Sequence, residues 1–439
     1  MKEEVLLSSK LAGIHKTHLA FHEIVTQKIA RAKIHSQIVG LLLINIDNFQ
    51  SINIHLGYHI GEKLLLKMQE RLTSCLNSDD FITRIDNGEF VIIMGDIKES
   101  EIKKTKNTIK NLMECFNEIY NLDGIDTKIS ASIGIAYYPH AGADTQTLLQ
   151  SANISMSHAK SLGGNNYQYH TGTLNKKYKK KSSLEHALKF AVEKQELFLN
   201  YQPIFNLKTR KMLGMEALLR WKNPLFGLIS PNIFIPLAEE NGLITSIGEW
   251  SLKNICKQAK EWYTAGYDEF KIYFNISSYQ LFQKSFPKFM MRLFKNAHIP
   301  PHLLDLELTE TAFITKSSYF ENILKKISDA GISITIDDFG TGHSSLTRLK
   351  HLPITGLKID KLFISDMRPD SFDAIIVNSL IALGKKLSMN VIAEGIETEA
   401  HLQFLIANGC PQGQGYYLCK PLNADQMTSF LKKNNKRCV

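Results

Sequence analysis

The chain has no long hydrophobic run. Its longest apolar stretch, Ile38–Ile44, ends at Asn45 and Asp47, far short of the roughly 20 residues a membrane-spanning helix needs. No secretory leader is legible either. The opening MKEEVLLSSK sets acids directly after the first Lys and offers no uninterrupted apolar region, so a cytoplasmic protein is expected. Cysteine is sparse: Cys75, Cys115, Cys256, Cys410, Cys419 and Cys438 form no CxxC and no Cys/His ligand spacing. That pattern excludes a zinc-finger type of site and a disulfide framework, and leaves reduced, structural thiols as the expectation. Signs of disorder are also lacking, with 44% hydrophobic and 22% charged residues in 439. A chain of this length and composition buries a real core and is expected to divide into two unequal domains.

The formal net charge is +9, and part of it sits in one short run, Lys176, Lys177, Lys179, Lys180 and Lys181. A solvated linker explains the run better than a nucleic-acid polymer or a membrane surface as partner. The boundary is placed in that polar, turn-rich segment, residues 171–183. Ahead of it, residues 1–35 read as a helical lead-in. Residues 36–170 carry strand-like runs at 38–46, 81–82 with 90–94, and 129–138, alternating with helical patterns at 61–76, 101–120 and 145–160. This predicts an α/β domain with a central, mainly antiparallel sheet.

Beyond the boundary, residues 184–432 show eight strand-like runs, at 197–204, 211–220, 270–276, 303–309, 331–337, 356–360, 390–395 and 413–418, before a basic tail at 433–439. The count suggests a (β/α)8-type, TIM-like barrel. One connection, Phe205 to Arg210, is too short for a parallel crossover, so the first two strands are expected to form an antiparallel hairpin.

Polar residues stand in or at the ends of these strands, where apolar ones are expected: Gln202, Glu216, Asn275, Glu307, Asp337, Asp338, Lys358, Glu394 and Gln414. In a barrel the strand C-termini converge on one face, so these residues, distant in sequence, should meet in one pocket. Several carboxylates with an amide and no thiolate make an oxygen ligand set suited to Mg2+ or Mn2+. The adjacent Asp337 and Asp338 suit two ions, one carboxylate bridging and its neighbour holding one, as metal-assisted hydrolysis of a phosphate ester requires. Lys358 would hold the attacking water or offset charge on the phosphate. Arg220, four residues beyond Glu216 on the same strand face, offers a forked donor to a phosphate oxygen. Glu310 and Glu397 each follow such an acid by three residues and read as supporting groups.

These residues lie in motifs that resemble EAL-domain cyclic di-GMP phosphodiesterases: EALLRWKNPLFGLISPNIFIPLAEENGLI at 216–244, FNIS at 274–277, ELTE at 307–310, DDFGTGHSSL at 337–346, LKID at 357–360, AEGIET at 393–398 and QGYYLCKP at 414–421. The resemblance implies hydrolysis of cyclic di-GMP to linear pGpG. It implies a metal shell of Glu216, Asn275, Glu307, Asp337, Asp338 and Glu394, with Lys358 as partner of the attacking water. Gln202, Arg220 and Gln414 become substrate contacts, Glu310 the anchor of loop 339–346, and Glu397 a supporting acid. It also implies two ions per site and a homodimer formed through this domain. Asn223 stands where the family has His, His343 where it has Tyr, and Pro411 where it has Asp; none removes a proposed ligand. The alternative is a non-catalytic cyclic di-GMP receptor, whose signature would be missing ligands.

The first domain resembles the GGDEF diguanylate cyclase domain through NIDNFQSINIHLGYHIGEKLL at 45–65, RIDNGEF at 84–90, ASIGIAYYP at 131–139 and SANISMSHAKSLGGNN at 151–166. It departs where the chemistry lies. Asn45 stands at the first-strand metal Asp, and Asp86, Asn87 and Gly88 stand where the family has Gly, Gly and an acid, while Glu89 and Phe90 remain. Loss of both ligand carboxylates implies a degenerate domain without cyclase activity. The family's upstream inhibitory RxxD reads Asn77-Ser78-Asp79-Asp80 and lacks its Arg. Asn53 and Glu62 match guanine-reading positions, so either weak GTP binding survives or the two are ordinary surface polar residues.

Overall fold

A computed structural model of the chain describes residues 21–313, 318–340, 352–368 and 370–435. The chain forms two compact units, Met1–Ser182 and Ser183–Val439. Among the described residues no helix is long and apolar enough to cross a membrane.

The apolar run noted in the sequence is the central strand of the first unit. Strand β1 (Ile38–Ile46) lies in a five-stranded sheet with β2 (Phe81–Asp86), β3 (Glu89–Ile97), β6 (Ala131–Tyr138) and β7 (Tyr167–Tyr169), in the order β2-β3-β1-β6-β7. Its pairings are antiparallel except β6–β7. Both faces of β1 are covered: Leu42 and Ile44 pack with Leu64, Met68, Leu112 and Phe116, while Leu41 and Leu43 pack with Val25, Leu148 and Ala152. A strand buried on both sides reads as continuous hydrophobicity rather than alternation. The helix at 21–35 supplies Phe21, Val25 and Ile29 to that second face; the rest of the lead-in lies outside the described residues. RIDNGEF is a tight hairpin, with Asp86 paired to Glu89 and Gly88 at φ +80°, the left-handed conformation such a turn demands. A small hairpin, β4 (Tyr120–Leu122) with β5 (Ile125–Thr127), stands apart from the sheet.

Residues 171–183 are not the expected turn-rich linker, for Gly172–Leu188 is a helix. The helix Gly172–Leu188 has no proline, its Lys, Leu, Glu and Ala are good helix formers, and Leu184 and Leu188, one turn apart, bury themselves against Leu197 and Trp221.

The second unit is a closed barrel. Strands β9 (Met212–Asn223), β11 (Lys271–Asn275), β12 (Leu304–Thr309), β13 (Ser333–Phe339), β14 (Gly356–Ile359), β15 (Asn390–Ala393) and β16 (Gln412–Gly413) run parallel. Strand β8 (Leu197–Asn206) closes the ring antiparallel to both β9 and β16, and a short β10 (Gly227–Ile229) pairs with β9 outside it. The hairpin expected from the short 205–210 connection is therefore present. Alternate strand residues such as Ile272, Leu306, Ile336, Leu357 and Val391 face helices contributing Leu252, Met290, Leu324 and Leu402.

The strand expected at 413–418 shrinks to Gln412–Gly413. Beyond it the backbone bonds to a loop instead of a neighbouring strand: Ile396 donates to the Gln414 carbonyl at 3.1 Å, and Tyr417 donates to the Ile396 carbonyl at 3.0 Å. A Cβ at Gly415 would lie 2.1 Å from the Ile396 carbonyl oxygen, so only glycine allows that approach. The tyrosines that suggested a strand are 58% and 44% exposed at 416 and 417.

Candidate active site

Barrel interiors are ordinarily filled by branched apolar side chains. Here the residues out of phase with the helix-facing set are polar. Register places Gln202 opposite Glu216, Asn275 beside Glu307, and Thr309 beside Asp337. One step back along the strands Ile204, Tyr273 and Ile392 form an apolar layer. Beyond that layer Asp305 accepts from Thr335 at 2.7 Å and from Lys271 at 3.3 Å.

Lys358 is the hub. Its side chain is fully buried, and Nζ lies 2.6 Å from Glu394, 2.9 Å from Glu307, 3.1 Å from Glu216 and 3.3 Å from Asp337. Asn275 Nδ2 donates to Glu216 at 2.9 Å and Glu307 at 3.1 Å. Gln414 Nε2 donates to Glu216 at 2.6 Å and Glu394 at 3.0 Å, while its Oε1 is buried with no hydrogen-bond partner among the described residues. Four carboxylates against one ammonium leave an excess of negative charge where desolvation is costly.

Consecutive strand residues point to opposite faces, yet Asp337 and Asp338 serve one site. The reason is local: the β13–β14 register shifts between Ile336 and Phe339, and Asp338 adopts φ +53°, a strained conformation for a residue with a Cβ. The result is two overlapping acidic sets, Glu216, Glu307 and Asp337 in one and Asp337, Asp338 and Glu394 in the other, each with oxygens within 4.8 Å of one another. Asp337 belongs to both. All-oxygen donors, excess buried charge and an unpartnered amide oxygen fit hard divalent cations.

Protonation follows from this crowding. Burial opposes the charge on Lys358, but Asp337, Glu216, Glu307 and Glu394 outweigh it and hold the ammonium protonated far above its usual range. Burial likewise disfavours the Glu216 anion, and Lys358 with the Gln414 and Asn275 amides reverses that and lowers its pKa. Glu307 is raised by burial and by its neighbours Glu216 and Asp337. Asp337 is raised by burial. Burial takes Glu394 up to about 8, and burial with the Asp360 contact takes Asp338 up to about 7.

The cluster opens into a cavity of about 860 Å³ whose lining includes Gln202, Arg220, Asp338, Lys361, Glu394 and Gln414. That volume suits a ligand of two nucleotides. Gln202 donates to the Cys419 carbonyl at 3.3 Å, and half-buried Arg220 spends one donor on the Leu219 carbonyl at 2.9 Å. Glu310 accepts from the Gly340 amide at 2.8 Å; residues 341–346 of the loop it was expected to anchor, with His343, lie outside the described residues. Glu397 is exposed in the turn before helix Glu399–Ala407. Asn223 braces its hairpin, donating to Glu196 at 2.9 Å and accepting from the Leu225 amide at 2.9 Å. The Pro411 carbonyl accepts from the Leu207 amide at 3.1 Å.

One residue escaped the sequence argument. Asp360 contacts Asp338, lines the cavity and caps helix Lys361–Ser365 by accepting from the Leu362 amide at 2.6 Å. Its signal was the acid closing LKID just before a helix.

In the first unit, Asn45 Nδ2 donates to Glu89 at 2.7 Å. Asp47 accepts from Ser132 at 2.7 Å, Ser130 at 2.8 Å and the Asn165 amide at 3.0 Å. Glu62 is held by both arms of Arg84, at 2.8 and 2.9 Å. Asn53 presses its Oδ1 against Gly61, where a Cβ would lie 1.9 Å away.

A parallel barrel with one reversed strand, carrying an acidic ring at the strand ends and preceded by a cyclase-like sheet, defines a class. The chain belongs to the EAL domain family, whose model matches residues 183–421, and the diguanylate cyclase, GGDEF domain model matches residues 15–166 ahead of it. Among relatives, the chain is 37% identical over 388 residues to the bifunctional diguanylate cyclase/cyclic di-GMP phosphodiesterase MucR of Pseudomonas aeruginosa, covering 88% of this chain and 56% of that protein. It is 32% identical over 422 residues to the cyclic di-GMP phosphodiesterase NbdA of the same organism, covering 96% and 53%. The chain thus spans little more than half the length of these relatives. Among solved structures, the PaMucR phosphodiesterase in complex with c-di-GMP is 42% identical with a TM-score of 0.54, over 56% of this chain and 99% of that one. The EAL enzyme Bd1971 with cAMP and cyclic di-GMP bound is 27% identical with a TM-score of 0.56, over 79% and 82%.

Proposed function

We propose that the barrel hydrolyses cyclic di-GMP to linear pGpG and that the first domain is a degenerate, catalytically inactive cyclase-like module with a regulatory or dimerising role. The observation that carries this reading is the pair of overlapping acidic sets around buried Lys358, at the base of a cavity sized for a dinucleotide. Glu216, Asn275, Glu307, Asp337, Asp338 and Glu394 would hold Mg2+ or Mn2+, two ions per site, which supply charge stabilisation and lower the pKa of bound water. Lys358, kept charged by its acidic neighbours, donates a hydrogen bond to the incoming water oxygen and orients it. Arg220 offers its remaining guanidinium donors to a phosphate oxygen. Gln202 and Gln414 fix the ring's orientation at the cavity wall. Water adds to phosphorus, one P–O3′ bond breaks, and the products of that cut are a 5′-phosphate and a free 3′-hydroxyl on one linear molecule.

The exposed apolar residues Leu362 (64%), Phe372 (75%) and Ile375 (61%), on the helices that follow LKID, support a homodimer formed through the barrel. Weak GTP binding by the first domain would require Glu62 to leave Arg84. Chromatography of cyclic di-GMP incubated with the protein and Mg2+ or Mn2+, beside a Glu216→Ala control, tests the main reading. Metal-dependent pGpG is expected from the parent alone. A folded, dimeric parent that binds the nucleotide and leaves it intact would be a receptor instead.

A further inference from the structure

Two cysteines that looked unrelated in sequence face each other in the first unit. Cys75 follows helix Tyr58–Ser74, Cys115 lies in the last turn of helix Ile102–Asn117, and their Sγ atoms are 2.9 Å apart across 40 residues of sequence. Both are free thiols and both are partly exposed. We propose that Cys75 and Cys115 are a modification site, closing a reversible intramolecular disulfide when the protein meets a peroxide.

Geometry favours closure. A disulfide needs about 2.05 Å between sulfurs, so the pair must approach by less than an ångström. The backbone around it is already clamped: the Tyr120 hydroxyl donates to the Cys115 carbonyl at 3.0 Å. Arg71 stacks over the Tyr120 ring at 4.0 Å, donates to the Ile119 carbonyl at 3.1 Å and pairs with Glu118 at 3.3 Å. The two helices meet through Leu72, Leu112 and Phe116, with Cys75 against that cluster. Cys256 and Cys410, by contrast, are buried, which shields a thiol from oxidant.

The roles of the two sulfurs differ. Burial, reinforced by the neighbouring Cys75, pushes the Cys115 thiol up to about 12, which disfavours its thiolate and leaves the first attack to Cys75. The Cys75 sulfur displaces hydroxide from hydrogen peroxide and becomes a sulfenic acid, the released hydroxide taking up the Cys75 proton as water. Cys115 then attacks that sulfur, and its proton leaves with the hydroxyl as a second water. Two thiols lose two electrons to one peroxide, giving one disulfide and two waters. The closed loop contains β2 and β3, the strands that carry Arg84 and Glu89. The bond therefore restrains the unfolded state of the cyclase-like sheet and stabilises the folded one.

The test uses the full chain with hydrogen peroxide, followed by alkylation, intact mass and peptide mapping. The expected result is a loss of 2 Da on oxidation (two hydrogens), a tryptic species linking the Cys75 and Cys115 peptides, and full reversal by dithiothreitol. Oxidation should also raise the melting temperature of the cyclase-like unit by several degrees. In Cys115→Ser the linked species is absent and Cys75 gains oxygen instead. Recovery of both parent peptides in alkylated form, or a sulfenic acid at Cys75 that persists in the parent protein, overturns the proposal. A bridge that pairs either residue with Cys256, Cys410, Cys419 or Cys438 overturns it as well.

Discussion

The two domains carry clustered acids, near strand ends in the barrel and at strand ends and on a neighbouring helix in the first unit, and treat them oppositely. In the cyclase-like unit three such carboxylates have separate partners: Glu89 takes the Asn45 amide, Asp47 two serines and a backbone amide, and Glu62 both arms of Arg84. In the barrel, four carboxylates compete for the single ammonium of Lys358, and Asp338 leans on another acid, Asp360. A group of acids with satisfied partners has no electrostatic demand left for a cation, whereas an overcrowded one gains free energy by binding one. The contrast teaches that unmet charge, more than the number of acids, distinguishes the cluster with an electrostatic demand for a cation.

Removing Lys358 strains that contrast most. Lys358→Met should lower the hydrolytic rate by about 10²–10³-fold, the scale of losing one preorganised donor that acts on the reacting atoms. Metal-free protein should lose about 3–5 kcal/mol of barrel stability, because the buried acids are left uncompensated. Mn2+ should restore most of that stability in a thermal melt. A variant melting like the parent without metal would show the acids to be less crowded than the geometry says.

A pH series sharpens the comparison further. Asp338 at about 7 and Glu394 at about 8 must shed protons before holding a cation, so Mn2+ affinity should tighten between pH 6 and 8.5, by up to about tenfold per unit for each proton displaced. Calorimetry in buffers of different ionisation enthalpy should register proton release. For metal-free protein the sign runs the other way. Carboxyls raised in the folded state, including Asp305 at about 6, keep protons the unfolded chain has lost, so their contribution is fully present below about pH 4 and is lost as pH rises toward 8. Flat metal affinity across this range would mean the acids are ionised before the cation arrives.

Smaller effects belong to the first domain. Arg84→Ala removes the guanidinium that holds Glu62, and a fluorescent GTP analogue should then bind a few-fold tighter; unchanged binding would make Asn53 and Glu62 surface residues and no more. Asn45→Asp should yield no measurable cyclic di-GMP from GTP, because Gly88 still stands where the second acid is needed. Product from that single change would contradict the view that both losses matter.

Much of this was legible in the chain itself. The eight-run pattern and the short 205–210 connection foretold a barrel with one reversed strand, since hairpin and crossover lengths are set by covalent reach. The ring of Glu216, Asn275, Glu307, Asp337, Lys358, Glu394 and Gln414 could be written down from strand-end polarity, because polar residues in that phase have nowhere to go but the barrel mouth. Helix Gly172–Leu188 was hidden, as its polar run masks the two leucines that dock it. The strand expected at 413–418 misled because its tyrosines look strand-like, while Gly413 and Gly415 answer to close backbone approach.

What the sequence by itself determined is therefore a set of residue types in the right phase and order: an oxygen-rich shell in one half, and a cyclase-like pattern in the other. Tertiary structure alone decided which groups meet. Lys358 reaches four carboxylates from four other strands or strand ends, and Asp338 turns beside Asp337 through a left-handed residue at a bulge. Cys75 finds Cys115 across 40 residues. Period and spacing are local properties that a chain displays openly, but proximity, and the charge and desolvation that come with it, exists only after distant segments have packed.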